Sequence, residues 1–229
     1  MQTYNATTGS RQIAPAIAMR GAANMPQRAA APKSVGTTRV IARGEELFAE
    51  GDEADHFFKV VKGSVRTYKL LNDGRRQIDA FHLAGDIFGM ETGAKHRFSA
   101  EAVEDTTVMA VRRCRFATLA HDDPAFGDQL MSSMMTSLER AHDHMLLLGR
   151  KTAQEKIATF LLDMASRISK SDRFDLPMQR SDIADHLGLT IETVSRTLTQ
   201  LARDGIIKLA AASRSVVLCD RAALQRLNA

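Results

Sequence analysis

The chain has 229 residues, of which 44% are hydrophobic and 25% charged, enough for one sizeable core or two modest ones. No apolar run approaches the roughly 20 residues that span a bilayer, and the N-terminus lacks the hydrophobic segment of a secretory signal. The cysteines, Cys114 and Cys219, lie far apart and outside any metal-binding spacing. These features exclude membrane proteins and disulfide-stabilised secreted domains, so we expect a cytoplasmic protein of two domains.

The net charge of +4 is unevenly distributed along the chain. Residues 1–44 hold six Lys or Arg and no acidic residue, so the remainder carries a net charge of −2. Global basicity is therefore a weak sign of nucleic-acid binding, and the placement of particular side chains is more informative. Residues 1–38 are rich in Ala, Pro, Gly, Ser, Thr and Gln without a sustained period, which predicts a flexible extension.

Segments rich in β-branched and aromatic residues predict a β domain over residues 39–123. They read HFFKVVKG, SVRTYKLL, RQIDAFHL and TTVMAVRR, and the turn glycines Gly51, Gly63, Gly74 and Gly85 recur every 11 or 12 residues. This spacing is typical of a small antiparallel jelly roll. Within it, Asn72-Asp73-Gly74 predicts a tight hairpin, because glycine tolerates the positive φ of such turns.

Histidines raise an alternative from another class, a cupin-like metal enzyme. His56, His82 and His96 fall in the predicted jelly roll, but no His-x-His pair on one strand strengthens a metal site. His142 and His144 lie two residues apart in a helix and point about 200° from each other, so they cannot chelate one ion together. We therefore predict no metal site, no cofactor and no catalytic residue.

A long helix is predicted over residues 124–149. Apolar residues recur along it at alternating spacings of 3 and 4, as in the a and d positions of a heptad. They are Met131, Met134, Leu138, Ala141, Met145 and Leu148. This seam predicts a parallel helix pair and hence a homodimer. The alternative is that the seam packs on the jelly roll of its own chain, and both arrangements are expected to hold in part.

Residues 150–229 carry the pattern of a winged helix-turn-helix. A helix with Ile157, Phe160, Leu161, Met164 and Ile168 on one face comes first, and Ile183, Ala184 and Leu187 then close a short helix. Gly188 supplies the backbone freedom for a tight turn, and Thr190 can cap the helix that follows. GIIKLAAA and SRSVVLCD complete a two-stranded wing.

The second helix of this motif has polar residues at the start of its exposed side. Val194, Leu198 and Leu201 are predicted to pack inward, whereas the candidate base contacts Ile191, Glu192, Ser195 and Arg196 face outward. Arg binds guanine bidentately, Glu accepts from the cytosine amino group, and a Ser hydroxyl fits against thymine. Candidate phosphate contacts are Arg180, Ser181, Thr190, Thr193, Arg203, Lys208 and Arg214.

Two stretches resemble the CRP/FNR superfamily of bacterial regulators. GEELFAEGDEADHFFKVVKGSVR, residues 44–66, looks like the opening of its cyclic-nucleotide-binding-type β-roll, and ETVSR, residues 192–196, resembles the Glu-x-x-Ser-Arg signature of FNR-type recognition helices. The resemblance implies an α+β fold with an N-terminal β-roll, a long dimerisation helix and a C-terminal winged helix-turn-helix. The protein is then expected to be a transcription regulator and no enzyme.

The resemblance also bears on the effector. Members that bind cyclic AMP use an acidic residue and an adjacent Arg-Ser or Arg-Thr pair. Here Asp86, Arg97 and Ser99 stand in, but Phe98 separates the last two, which predicts a degenerate pocket. The cluster cysteines of the FNR branch are absent from the segment before Val40, and Cys114, interpreted as a buried or half-exposed residue near a strand end, cannot hold a cluster alone.

A chain that combines an FNR-type recognition helix with the absence of cluster cysteines is similar to the FixK-type regulators of rhizobia and related bacteria. By that resemblance the partners are double-stranded DNA with a TTGAT-N4-ATCAA palindrome and RNA polymerase. The expected outcome is activation of microaerobic respiration and nitrogen-fixation genes without an obligatory effector. The alternative is a CRP-like regulator that depends on a nucleotide or other ligand in the β-roll.

Overall fold

The structure, a computed structural model, describes residues 36–169, 171–210 and 214–228. Most of the predicted extension therefore lies outside the described residues, as do residues 211–213 of the predicted wing. The first strand begins at Thr37, two residues before the predicted start of the β domain. Among the described residues, no helix combines the length and apolar character that a membrane span requires.

The β-roll consists of two four-stranded antiparallel sheets. Its strands are β1 (Thr37–Ile41), β2 (Glu46–Phe48), β3 (His56–Lys62), β4 (Ser64–Leu70), β5 (Arg76–Leu83), β6 (Ile87–Phe88), β7 (Ser99–Ala102) and β8 (Thr106–Arg112). The strand orders are β1-β8-β3-β6 and β2-β7-β4-β5. The four segments predicted from sequence coincide with β3, β4, β5 and β8. The other strands have two to five residues, too few for a clear alternation.

Aromatic packing and tight turns hold the roll together. Phe58 stacks on Phe48 and on Phe88, with ring centroids 5.5 Å apart in both pairs. Gly74 has φ = 82° in the predicted hairpin between β4 and β5. Gly63 has φ = 86°, and a Cβ there would lie 2.6 Å from Thr106 Oγ1. A larger residue at position 63 would therefore clash with Asp105 and Thr106 at the start of β8.

A short 3-10 helix (Arg113–Arg115) and α1 (Phe116–Asp122) lead from the roll into α2 (Pro124–Arg150). The Asp123 carboxylate accepts a hydrogen bond from Phe126 N at 3.2 Å, and proline occupies the first turn, which fixes the start of α2. Cys114 is exposed, so the expectation of a buried or half-exposed position was wrong, because the chain leaves β8 before this residue and turns outward.

The two faces of α2 differ in their contacts. Leu130 and Leu147 are buried against the chain's own domains. Of the predicted seam, five members are exposed: Met131, Met134, Leu138, Ala141 and Met145. Leu148 is half-buried against the C-terminal core, because Gly188 approaches it across the domain boundary. The alternative that the seam packs on its own roll is therefore wrong for the five exposed residues.

The C-terminal domain contains α3 (Ala153–Ile168), α4 (Arg180–Leu187), α5 (Ile191–Arg203) and α6 (Arg221–Asn228). Its sheet has the order β10 (Ile207–Leu209), β11 (Ser215–Leu218), β9 (Arg173–Asp175). The predicted two-stranded wing thus has a third strand, since Phe174 pairs with Val216 and is buried. Sequence patterns also missed α6, whose buried Leu224 packs in the core that includes α3.

One hydrophobic core runs from the roll into the C-terminal domain. Ile78 and Phe81 of β5 belong to the same buried cluster as Phe160 of α3 and Leu187 of α4. His186 of α4 completes the contact: its ring lies 5.2 Å from the Phe81 ring, and its Nδ1 lies 3.2 Å from the Ile78 carbonyl oxygen. The helix-turn-helix is therefore packed directly on the β-roll.

This contact predicts an acid-sensitive fold. Burial, together with the neighbouring His144, lowers the pKa of His186 from 6.5 to about 3. Burial also lowers the pKa of His144, and Lys156 adds to that shift. The unfolded chain takes up protons at these histidines below pH 6.5 and the folded chain does not. Stability present above pH 6.5 is therefore lost progressively as the pH falls from 6.5 towards 3.

For His186 alone we expect the free energy of unfolding to be about 1 kcal/mol lower at pH 5.5 than at pH 7.5, as measured by urea denaturation. The variant His186→Gln keeps a donor for the Ile78 carbonyl but does not titrate. It should therefore show a shallower pH dependence than the natural chain. An equal slope in both proteins would contradict the assignment.

Candidate nucleic-acid interface

The turn between α4 and α5 is fixed by two residues. Gly188 adopts the left-handed conformation with φ = 60° and ψ = 43°, which ends α4. The Thr190 hydroxyl accepts a hydrogen bond from Thr193 N at 3.1 Å and caps the start of α5. Both roles agree with the sequence prediction, and together they set the angle between the two helices of the motif.

Helix α5 is strongly amphipathic. Val194, Leu198 and Leu201 are buried, as predicted. On the opposite side, near the N-terminal end, the structure brings together Ile191, Glu192, Ser195 and Arg196. Ile191 is 49% exposed, so its apolar side chain is open to contact with a partner. We call these four residues the reading surface.

A hydrogen bond from α4 orders the hydroxyl in the reading surface. Arg180 Nη1 donates to Ser195 Oγ over 3.2 Å. A serine hydroxyl has one proton and two lone pairs, so the Ser195 proton stays available for an acceptor on a partner. The sequence predicts Arg180 only as a candidate phosphate contact, because the proximity of the two side chains depends on how α4 and α5 cross.

The other candidate phosphate contacts lie on several elements of the C-terminal domain. Three basic residues are exposed: Arg203 on α5, Lys208 on β10 and Arg214 just before β11. Thr190 is also exposed, at the start of α5. Ser181 on α4 and Thr193 on α5 are half-buried. The Thr190 and Thr193 hydroxyls lie 2.9 Å apart. Arg214 donates to the Pro177 carbonyl, so it also ties the wing to the segment before α4.

A buried lysine, missed from the sequence, supports the turn from behind. Lys156 on α3 is only 8% exposed, and its Nζ donates to the Leu187 carbonyl oxygen over 3.1 Å. The ammonium therefore lies at the C-terminal end of α4, where the helix dipole favours a positive charge. The only sequence signal for this contact is that a lysine interrupts the apolar face of α3. Such a lysine is usually exposed to solvent, so the sequence did not predict its burial.

The residues predicted as a degenerate effector pocket have separate partners. Asp86 accepts hydrogen bonds from Arg140 of α2 at 3.1 Å and from Arg167 of α3 at 2.8 Å. Ser99 Oγ accepts from Glu50 N, whereas Arg97 donates its backbone N–H to Glu91. The acid that would bind a ribose hydroxyl is thus already paired with two guanidinium groups.

A cavity of about 220 Å³ lies between β5, α2 and α3, with His82, Arg140, Arg167 and His186 in its wall. Its volume is below the roughly 300 Å³ at which small-molecule sites usually begin. Within the described ranges, no group of three His, Cys, Asp or Glu residues could hold a metal ion.

Comparison with known proteins agrees with this architecture. A family model described as a Crp-like helix-turn-helix domain matches residues 155–227, and one described as a cyclic nucleotide-binding domain matches residues 38–123. The chain is 49% identical over 200 residues to the nitrogen fixation regulation protein FixK of Azorhizobium caulinodans, covering 85% of this chain and 80% of that one. The chain belongs to the FixK type of the CRP/FNR family.

Further similarities support the family assignment. FixK of Rhizobium meliloti is 41% identical over 181 residues, which cover 78% of this chain and 82% of that one. The structure of FixK2 from Bradyrhizobium japonicum superposes with a TM-score of 0.79 at 48% identity, covering 85% of this chain and 98% of that chain. This FixK-type protein is thus a transcription regulator with a DNA-binding helix-turn-helix and no enzyme.

Proposed function

We propose that this FixK-type regulator binds, as a homodimer, a palindrome of the form TTGAT-N4-ATCAA and activates transcription by recruiting RNA polymerase. Its targets are promoters for microaerobic respiration and nitrogen fixation, and the names of its relatives support the second of these. The observation that carries the proposal is the reading surface, where an exposed carboxylate, a half-buried hydroxyl and an exposed guanidinium lie together at the start of α5. That end of a recognition helix enters the major groove.

The chemistry of the reading surface suits a TTGA half-site. The half-site has a single G·C pair, and Arg196 and Glu192 supply a bidentate donor for guanine and an acceptor for the amino group of cytosine. Ile191 and Ser195 supply an apolar contact for a thymine methyl group and a donor for thymine O4. The segment from Arg173 to Arg214 contains six basic and five acidic residues. Its nonspecific attraction to DNA phosphates is therefore moderate, and base contacts carry the selectivity.

Two observations support a dimer that needs no effector. Met131, Met134, Leu138 and Met145 are 43–63% exposed along one face of α2, and a second copy of this helix would cover that face. In the roll, the Asp86 carboxylate is paired with Arg140 and Arg167, so the acidic residue expected to bind an effector already has partners within the chain. A dimer presents two recognition helices to two half-sites one helical turn apart, which is the geometry of a palindrome.

A gel-shift titration of the purified protein tests the proposal. Four conditions are compared: TTGAT-N4-ATCAA and a TGTGA palindrome, each with and without cyclic AMP. We expect tight binding to the first DNA only, unchanged by the nucleotide, together with stimulated transcription in vitro without added cofactor. Binding that requires cyclic AMP would favour a CRP-like regulator instead, and binding to neither DNA would refute the proposed operator.

Arg180 gives a prediction about base selectivity. With Arg180→Met, the Ser195 hydroxyl loses the donor that orients it, so its preference for thymine weakens. Using about 0.5–1.5 kcal/mol for one hydrogen bond, we expect discrimination at the contacted base pair to fall about 3- to 10-fold. The measurement is the affinity for the operator and for operators substituted at each thymine, at two salt concentrations.

Arg203→Met, at the other end of α5, is the matched control. It should weaken binding to all these DNAs by the same factor and reduce the salt dependence, as loss of a phosphate contact does. The same uniform behaviour in Arg180→Met would show that Arg180 contacts only phosphate.

A further inference from the structure

A group of ion pairs joins the β-roll to α4. Arg66 of β4 bonds to Asp182 at 2.9 Å and to Glu101 of β7 at 2.6 Å. Arg76 of β5 bonds to Asp182 at 2.7 Å and to Asp185 at 2.8 Å. We call Arg66, Arg76, Asp182 and Asp185 the roll–helix clamp. Its members come from both domains, so it fixes one domain on the other.

The geometry of the clamp leaves little freedom. The Asp182 side chain is 4% exposed, and those of Arg66 and Arg76 are 13% and 23% exposed. One Asp182 oxygen receives both guanidinium groups, and the other accepts from Gln179 N at 3.0 Å, which caps α4. Buried ion pairs of this kind add little net stability compared with apolar contacts, but they require a defined arrangement of their partners.

The clamp lies on a continuous path between the reading surface and the exposed seam of α2. On one side, Leu187 of α4 and Val194 of α5 share a buried core, so α5 follows α4. On the other side, the roll is joined to α2 by the Asp86–Arg140 ion pair. Any displacement of α4 on the roll therefore moves the reading surface relative to the seam.

We propose that Arg66 and Arg76 are positioning residues that set which spacer between half-sites this regulator accepts. The inference rests on the proposed dimer and operator. In a dimer, the position of each reading surface relative to the seam fixes the distance between the two surfaces. One added base pair moves the second half-site by about 3.4 Å and rotates it by roughly 35°. A clamped domain cannot follow that movement, whereas a released one can.

The test compares spacer selectivity in the full-length chain. Dissociation constants are measured for TTGAT-N4-ATCAA and for the same half-sites with five- and six-base-pair spacers. We expect Arg76→Met and Arg66→Met each to lower the affinity ratio between the four- and six-base-pair spacers by about tenfold, equivalent to about 1.4 kcal/mol. A general loss of affinity or fold would lower all three affinities together, so the ratio isolates positioning.

Arg75→Met is the matched control, because Arg75 is the adjacent arginine but pairs with Asp73 in its own hairpin, with a side chain 77% exposed. It should leave the ratio unchanged. Asp185→Asn provides a mild variant if the arginine variants fail to fold. Asp185 is 31% exposed and bonds to Arg76, so we expect an intermediate loss of selectivity. Circular dichroism confirms which variants are folded.

Two failures can be distinguished. If the natural protein prefers the four-base-pair spacer and the folded clamp variants keep the same ratio, the clamp does not position the reading surface and the inference is overturned alone. If the natural protein binds none of the three DNAs specifically, the proposed operator fails and the inference fails with it.

Discussion

Arg196→Ala is expected to abolish site-specific DNA binding at working protein concentrations. Arg196 is exposed on the reading surface, and no other Lys or Arg among residues 189–201 could replace it. Loss of a bidentate contact to guanine costs about 1–3 kcal/mol, and the loss occurs in both half-sites of a palindrome. We therefore expect affinity for TTGAT-N4-ATCAA to fall between about 30-fold and more than 10⁴-fold, as measured by gel shift or fluorescence anisotropy.

The matched control for this prediction is Arg226→Ala. It removes the same charge from α6, where the Arg226 side chain is 72% exposed and faces Asp220 at 3.9 Å. Affinity for the operator should then change little. Full operator affinity in Arg196→Ala would show that α5 is not the recognition helix.

Leu138→Glu is expected to convert the protein to a monomer and so to weaken operator binding. Leu138 is 48% exposed in the middle of the α2 seam, where a carboxylate would face its own copy across the two-fold axis. Without the partner, the second half-site is no longer held nearby, which costs about 10²- to 10⁴-fold in affinity. Sedimentation velocity measures the association state and anisotropy the affinity.

Ser132→Glu adds the same charge to α2 at an exposed position outside the heptad pattern. This control should remain dimeric and bind the operator normally. If Leu138→Glu sediments as a dimer and binds DNA like the natural chain, the seam is not the dimer interface.

The parts of the fold that sequence predicted are those with a long periodic signal. β3, β4, β5 and β8 have seven or eight residues each, and the stripe of α5 has a clear inward face. The strands β6 and β9 contain two and three residues, which is too short for alternation to be distinguished from chance.

The contacts that position the candidate site could not be predicted, because they join residues far apart in sequence. Arg66 and Asp182 are separated by 116 positions, and Lys156 and Leu187 by 31. Charged residues are usually solvated, so nothing in their local sequence indicated burial. The same holds within the helix-turn-helix. The sequence identified Arg180 and Ser195 as candidate DNA contacts but did not predict the hydrogen bond between them.

The shared core of Ile78, Phe81, Phe160 and Leu187 has a consequence for protein engineering. A chimaera that joins the DNA-binding half of a relative to this β-roll would expose apolar surface on both pieces, because each half completes the other's interior. A chimaera joined at this boundary therefore has to include the β5 residues that pack on the DNA-binding domain, together with that domain. We therefore expect the two halves to unfold together in urea, although they are separable in sequence.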